Sequence, residues 1–238
     1  MGILDLNADL EYLESLGESN EELSLNEPDE WRVKRLGSVT GSTFGKFVKT
    51  EKDGFKLSSG KVAKDLIYKI AWERLLKEGN ISNGLGRLNV SSQAMNHGND
   101  NEGAAIQKYI EVTGNEVIYE QEYISLSEWI GGTPDGFVGK DGILEVKCPW
   151  NGGNHLQTLL TGTIYNPEHM YQIQGYLWIT DRKWCDFITY DPDLIEELQI
   201  TITRIERDEN IIKGIESVVN EVIEQIKELI QQVKNKLD

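Results

Sequence analysis

The chain has 238 residues, of which 39% are hydrophobic and 27% charged, and it carries a formal net charge of −16. That length can bury a substantial core, and no apolar run approaches the roughly 18 residues that span a bilayer, so no membrane association is expected. Met1 to Leu10 lacks the basic start and apolar core of a secretory signal. The two cysteines, Cys148 and Cys185, stand at no zinc-ligand spacing and suggest reduced thiols in a cytoplasmic protein rather than a disulfide framework.

The charge is unevenly spread. Residues 1–30 hold ten Asp/Glu and no Lys/Arg, whereas Arg32 to Arg87 hold thirteen Lys/Arg and five Asp/Glu, a surplus of eight. Screening limits the reach of distant charges to roughly 10 Å, so a local basic block can contact phosphates even on an acidic protein. Lys46, Lys49, Lys52 and Lys56 fall in that block.

Taken in chain order, residues 1–27 read as an acidic, partly disordered leader, and residues 28–238 as a single domain. Pro28-Asp29-Glu30 starts a helix, with acids at the positive end of its dipole. Thr40 caps a short helix through Val48. Ser58 or Ser59 opens a longer one, with Val62, Leu66, Ile70, Ala71 and Leu75 at helical spacing, and Gly79 stops it. A Gly/Asn-rich loop covers 80–90. Ser91 or Ser92 then begins a helix to about Val112, ended by Gly114. The period changes next. Glu116–Ser125, Trp129–Val138 and Ile143–Cys148 read as three strands, the last two joined by a turn at Lys140-Asp141-Gly142. Residues 154–161 are expected to be helical. Pro167 begins a helix through Thr180, with Met170, Ile173, Leu177 and Trp178 inward. Cys185–Tyr190 and Leu198–Ile205 read as strands. A long amphipathic helix follows from Asp208, with Ile211, Ile215, Val218, Val222, Ile226, Leu229 and Val233 as its apolar stripe. The expected class is α/β (α+β): a central mixed sheet of about five strands flanked by helices.

The chemistry concentrates in Gly132-Thr133-Pro134-Asp135-Gly136 and Leu144-Glu145-Val146-Lys147. Glu145 and Lys147 are two apart in a strand and project from one face. A short hairpin can bring Asp135 beside Glu145. Two neighbouring carboxylates repel unless a cation binds between them, and a hard divalent ion with oxygen ligands, Mg²⁺, relieves that repulsion. Lys147 can position a water or stabilise developing negative charge. Val146 points the other way, but its carbonyl can still reach the metal.

Pro134-Asp135 followed by Glu145-Val146-Lys147 resembles the PD-(D/E)XK nuclease signature, and in particular the lambda exonuclease group, the YqaJ-like viral recombinases. Further segments follow in the expected order: Trp31 to Ser42, Gly98 to Ala104 with Glu102, Glu145-Val146-Lys147-Cys148-Pro149, Met170 to Thr180, Tyr190-Asp191-Pro192, and Ile205 to Glu209. The resemblance spans roughly residues 29–225. It implies a restriction-endonuclease-like core. Asp135, Glu145 and the Val146 carbonyl would be metal ligands, Lys147 the catalytic lysine, and Glu102 an additional acid completing the metal site. Arg35, Ser42 and Thr133 would bind a terminal 5′-phosphate, a task suited to arginine's planar fork. Gln172 and Gln174 would line the site, and Trp31, Lys49 and Lys52 lie where DNA contacts would fall. His169 departs from the family pattern, and the acidic leader has no counterpart in it.

The resemblance further implies Mg²⁺-dependent, processive 5′-to-3′ digestion of one strand of linear duplex DNA. One or two ions would be held, with Mn²⁺ able to substitute. It also implies a homotrimeric ring and a single-strand annealing protein as partner. The same core also serves endonucleases and single-strand nucleases. A catalytically silent DNA-binding or partner-recruiting module is the third reading, against which the intact Asp135/Glu145/Lys147 set argues. Two cysteines cannot supply the four-cysteine iron–sulfur site of some related nucleases.

Overall fold

Ile143-Leu144-Glu145-Val146-Lys147 alternates which face each residue serves, and the chain builds both layers of its core around that alternation. In the computed structural model, which describes residues 33–52, 54–76, 92–119 and 122–237, these residues lie in β8 (Gly142–Lys147) at the centre of a five-stranded sheet. Its neighbours are β7 (Gly136–Val138), antiparallel, and β9 (Trp184–Tyr190), parallel. β4 (Val117–Ile118) and β10 (Ile200–Glu206) form the edges. A smaller sheet joins β1 (Val39–Thr40), β6 (Ile130–Gly132) and β5 (Ile124–Ser125), and a hairpin pairs β2 (Val48–Glu51) with β3 (Gly54–Leu57).

The helices are α1 (Gly41–Phe47), α2 (Lys61–Arg74), α3 (Gln93–Thr113), α4 (Gly152–Thr161), α5 (Pro167–Thr180) and α6 (Glu209–Lys234). Ile143 and Phe187 face α1, α2, α5 and α6 in the larger core cluster, while Leu144, Val146 and Ile188 face α3 in the smaller one. Glu145 and Lys147 therefore share the face of Ile143. No helix among the described residues is long and apolar enough to cross a membrane.

The local signals place most helix ends. Thr43 Oγ accepts from the Thr40 amide at 3.3 Å and closes the start of α1. Ser92 caps α3 by accepting from the Met95 amide, and Gly114 ends it. Asn166 and Pro167 start α5, and Asp208 caps α6 through the amides of Asn210 and Ile211. The α6 stripe is buried at Ile215, Val218, Val222 and Ile226, joined by Ile212, Val219 and Ile223, whereas Val233 is exposed. On α5 the buried residues include Gln174, Gly175 and Tyr176 besides Ile173 and Leu177, while Met170 and Trp178 are only partly buried.

Four departures from these expectations appear. The segment 129–138 is interrupted at Thr133-Pro134-Asp135: β6 belongs to the small sheet and β7 to the large one. The segment 116–125 splits in the same way into β4 and β5. Pro134 has no amide to give a ladder, which suits it to such a crossing. The β7–β8 turn runs through Gly139-Lys140-Asp141, with Gly142 already paired to Val138 and Gly139 supplying the left-handed residue at φ +55°. β2 and β3 were not expected. The leader, the helix start at Pro28, Trp31, Gly79 and the loop at 80–90 lie outside the described residues.

α5 crosses α1 closely enough that a Cβ on Gly175 would stand 2.3 Å from the buried Phe44 ring. Gly175→Ala is expected to destabilise the fold by about 1–3 kcal/mol through overpacking, read as a lowered urea midpoint with an unchanged slope. An unchanged midpoint contradicts this packing.

Candidate active site

The crossing from the small sheet to the large one sets Asp135 immediately before β7. Because Gly136 pairs with Leu144 in antiparallel register, Asp135 arrives beside Glu145. Its Oδ2 accepts a hydrogen bond from the Val146 amide at 2.7 Å, which fixes the carboxylate against β8. Glu145 is completely buried. Its Oε1 accepts from the Lys147 ammonium, while its Oε2 is buried with no hydrogen-bond partner. Asp135, Glu145 and Lys147 thus converge, as their spacing predicts.

Burial, followed by the charge of Asp135, pushes Glu145 up to about 8. Burial also raises Asp135, against the opposing effect of Lys147. For Lys147, burial acts downward, but Glu145 and Asp135 outweigh it and hold the ammonium above its ordinary pKa. Near neutrality, and with no cation present, the two acids therefore retain a proton that isolated carboxyls would lose. His169 is driven the other way: burial and the Lys147 charge lower it to about 4, so a neutral imidazole stands there. Its ring meets Tyr165 edge-on at 5.1 Å.

A pocket opens beside the pair. It is lined by Arg35, Thr40, Ser42, Glu102, Tyr123, Gly132, Thr133, Pro134, Asp135, Gln172 and Tyr176. α3 brings Glu102, whose Oε1 accepts from the Tyr119 hydroxyl at 3.0 Å, and burial and Asp135 raise its pKa. α1 brings Ser42, whose hydroxyl lies 3.1 Å from that of Thr40. α5 brings Gln172, which donates to the Tyr176 hydroxyl at 3.3 Å.

The unpartnered Glu145 Oε2 beside a second carboxylate fits a divalent cation, because an incoming ion would satisfy an oxygen that the protein leaves empty. Among the described residues no three Asp, Glu, His or Cys side chains gather closely enough to hold an ion. The convergent acids are the Asp135–Glu145 pair, and Glu102 stands apart on the pocket wall.

The YqaJ-like viral recombinase domain matches residues 30–183. The chain belongs to this family. Among solved structures, two of an alkaline exonuclease from Laribacter hongkongensis, one in complex with dAMP, are similar to it at a TM-score of 0.74. They share 30% and 31% identity with this chain and cover 88% of it and 98% of their own. A phage-related exonuclease from Haemophilus somnus 129PT shares the fold at 19% identity and a TM-score of 0.61, over 82% of this chain and 96% of its own. No curated protein matches the chain.

Against the positions that the family resemblance picks out, the structure gathers Arg35, Ser42, Glu102, Thr133, Asp135 and Gln172 around one pocket, next to Glu145 and Lys147. Gln174 is a correction. It is 1% exposed; its amide nitrogen donates to the Glu206 carbonyl and its oxygen accepts from the Asp208 amide. It ties the start of α6 to α5 and does not line the site. Lys49 lies on β2 in an ion pair with Glu51, and neither it nor Lys52 borders the pocket. Thr40, Tyr123 and Tyr176 line the pocket without having been singled out. Thr40 was legible only as a cap, and the two tyrosines read as ordinary strand and helix residues.

The raised Glu145 carries a sign for stability. Without metal, the folded state binds a proton between about pH 4.5 and 8 that the unfolded chain has released, so stability falls as pH rises through that window. Glu145→Gln removes the titration. In EDTA, its melting temperature relative to the unsubstituted chain is expected to climb from pH 5 to pH 9, and a difference that stays flat across that range refutes the assignment.

Proposed function

We propose that this chain is a metal-dependent DNA exonuclease that digests one strand of linear duplex DNA from an end, 5′ to 3′. The observation that carries the proposal is the buried, unpartnered Glu145 Oε2 beside Asp135 and Lys147, directly behind a pocket that Asp135 lines together with Arg35, Ser42 and Thr133. Membership of the viral recombinase family and likeness to an alkaline exonuclease support the same reading.

Asp135, Glu145 and the Val146 carbonyl would hold the ion, with Glu102 acting through water or on a second ion, and Mn²⁺ would substitute for Mg²⁺. When bound, the metal supplies a Lewis acid and an acidified water. The protein's own groups do the rest. Arg35, Ser42 and Thr133 would grip the terminal 5′-phosphate and set the register of the strand. The Lys147 ammonium, steadied by Glu145, would stabilise negative charge as a water oxygen bonds to phosphorus, the P–O3′ bond breaks and the 3′ oxygen gains a proton. Gln172 would order solvent at the pocket wall.

A homotrimeric ring around the duplex would make digestion processive. It would also reconcile a net charge of −16 with a polyanionic substrate, since only the channel needs to be basic. A single-strand annealing protein would take up the exposed 3′ strand, in the cytoplasm of a bacterial host if the chain is phage-encoded.

Linear duplex labelled at one end is expected to be degraded with Mg²⁺ and to survive in EDTA. Failure to digest it at any pH from 6 to 9 defeats the proposal, and cleavage of closed circular DNA redirects it to an endonuclease. Lys147→Ala is expected to lower kcat by about 10²–10³-fold, and Asp135→Ala to abolish Mn²⁺ binding measured by calorimetry. Because the ion must displace the proton that Glu145 keeps up to about pH 8, apparent Mn²⁺ affinity should rise from pH 6 to 8 with proton release and then level off. A pH-independent affinity would count against Glu145 as a ligand.

A further inference from the structure

Tyr123 lines the pocket beside Asp135, and the roles above leave its hydroxyl unused. Tyr123 lies just before β5, and its hydroxyl sits against β6: a Cβ on Gly131 would fall 2.2 Å from the Tyr123 oxygen, so a glycine is needed to leave room for it. That oxygen is buried and has no partner within hydrogen-bond geometry, although the Ser38 hydroxyl approaches it closely enough to lower its pKa. Leaving a buried hydroxyl unsatisfied carries a desolvation cost, and phenylalanine would fill the same space without it. Burial raises the phenol's pKa, partly offset by Ser38 and by the Arg35 charge, so the group is a proton donor throughout the neutral and mildly alkaline range.

Its surroundings indicate which acceptor it awaits. Arg35, Thr40, Ser42 and Thr133 line the same pocket, giving one guanidinium and three hydroxyls, with the acids confined to Asp135 and Glu102. A phosphate monoester is acceptor-only at its oxygens once ionised and carries close to two negative charges, so a donor-rich wall with a cation complements it. Tyrosine adds a rigid donor with only two side-chain torsions to fix.

We propose that Tyr123 is a ligand of the strand's terminal 5′-phosphate, donating its phenolic proton to a phosphate oxygen beside Arg35. This rests on the exonuclease reading and adds a residue that selects phosphorylated ends.

The test is Tyr123→Phe, assayed on linear duplexes with a 5′-phosphate or a 5′-hydroxyl at the labelled end, in Mg²⁺. A hydrogen bond to a charged group predicts a KM about ten-fold or more higher for phosphorylated ends. Digestion from hydroxyl ends should fall far less, so the preference ratio collapses. The melting temperature of the variant should hold or rise, because an unsatisfied hydroxyl has been removed. Equal losses on both substrates together with a lowered melting temperature would show a purely structural hydroxyl and overturn the proposal, as would an unchanged preference ratio. If the unsubstituted chain digests DNA but shows no preference for phosphorylated ends, the phosphate-pocket assignment falls and takes this inference with it. If it digests neither substrate, the exonuclease reading itself has failed.

Discussion

Two carboxyl groups held side by side in a low-dielectric interior set the terms for everything near them. Asp135 and Glu145 would repel as a doubly ionised pair, and each loses solvation. The fold offsets this with the Val146 amide on one oxygen and the Lys147 ammonium on another, and leaves a third oxygen empty. The neighbouring imidazole, His169, remains uncharged and so does not compete as a counter-ion. Such an arrangement is a poor way to stabilise a fold and a good way to hold a site ready for a cation.

Holding that geometry requires rigidity on both sides of β8. Ile143 anchors the strand in the larger core and Leu144 and Val146 in the smaller, so the strand cannot shift register without exchanging charged and apolar faces. α5 is buried on most of its surface, and Gln174 bolts it to the start of α6. The helix that supplies Gln172 and Tyr176 to the pocket is thereby held at its middle, between those two residues.

How much of this the sequence showed depends on the range of the interactions involved. The helix starts at Ser91 or Ser92, Pro167 and Asp208 are local chemistry and were legible, as was the switch from helical to alternating periodicity after Gly114. The shared face of Glu145 and Lys147 follows from strand geometry alone. The division of 129–138 between two sheets was not legible, because it depends on β1 and β5 coming to pair with β6 from distant parts of the chain. The β2–β3 hairpin was hidden beneath its lysines, which drew attention as charge rather than as alternating strand positions. Gln174 misled because the resemblance placed it with Gln172 as a site-lining glutamine, and only the buried packing of α5 against the start of α6 shows that it faces the other way. Tyr123 gave no signal, since only the backbone of Gly131 and the distant Arg35 make its hydroxyl unusual.

The break between β6 and β7 does more than end a strand. Three residues, Thr133, Pro134 and Asp135, carry the chain from the sheet next to the pocket wall of Arg35, Thr40 and Ser42 to the sheet that bears Glu145 and Lys147. Three residues span at most about 10 Å, and the proline stiffens them. If the wall grips a strand terminus and the acids mark the bond to be cut, this short tether acts as a ruler: the length of each fragment released is written into the backbone, not into any contact with a base.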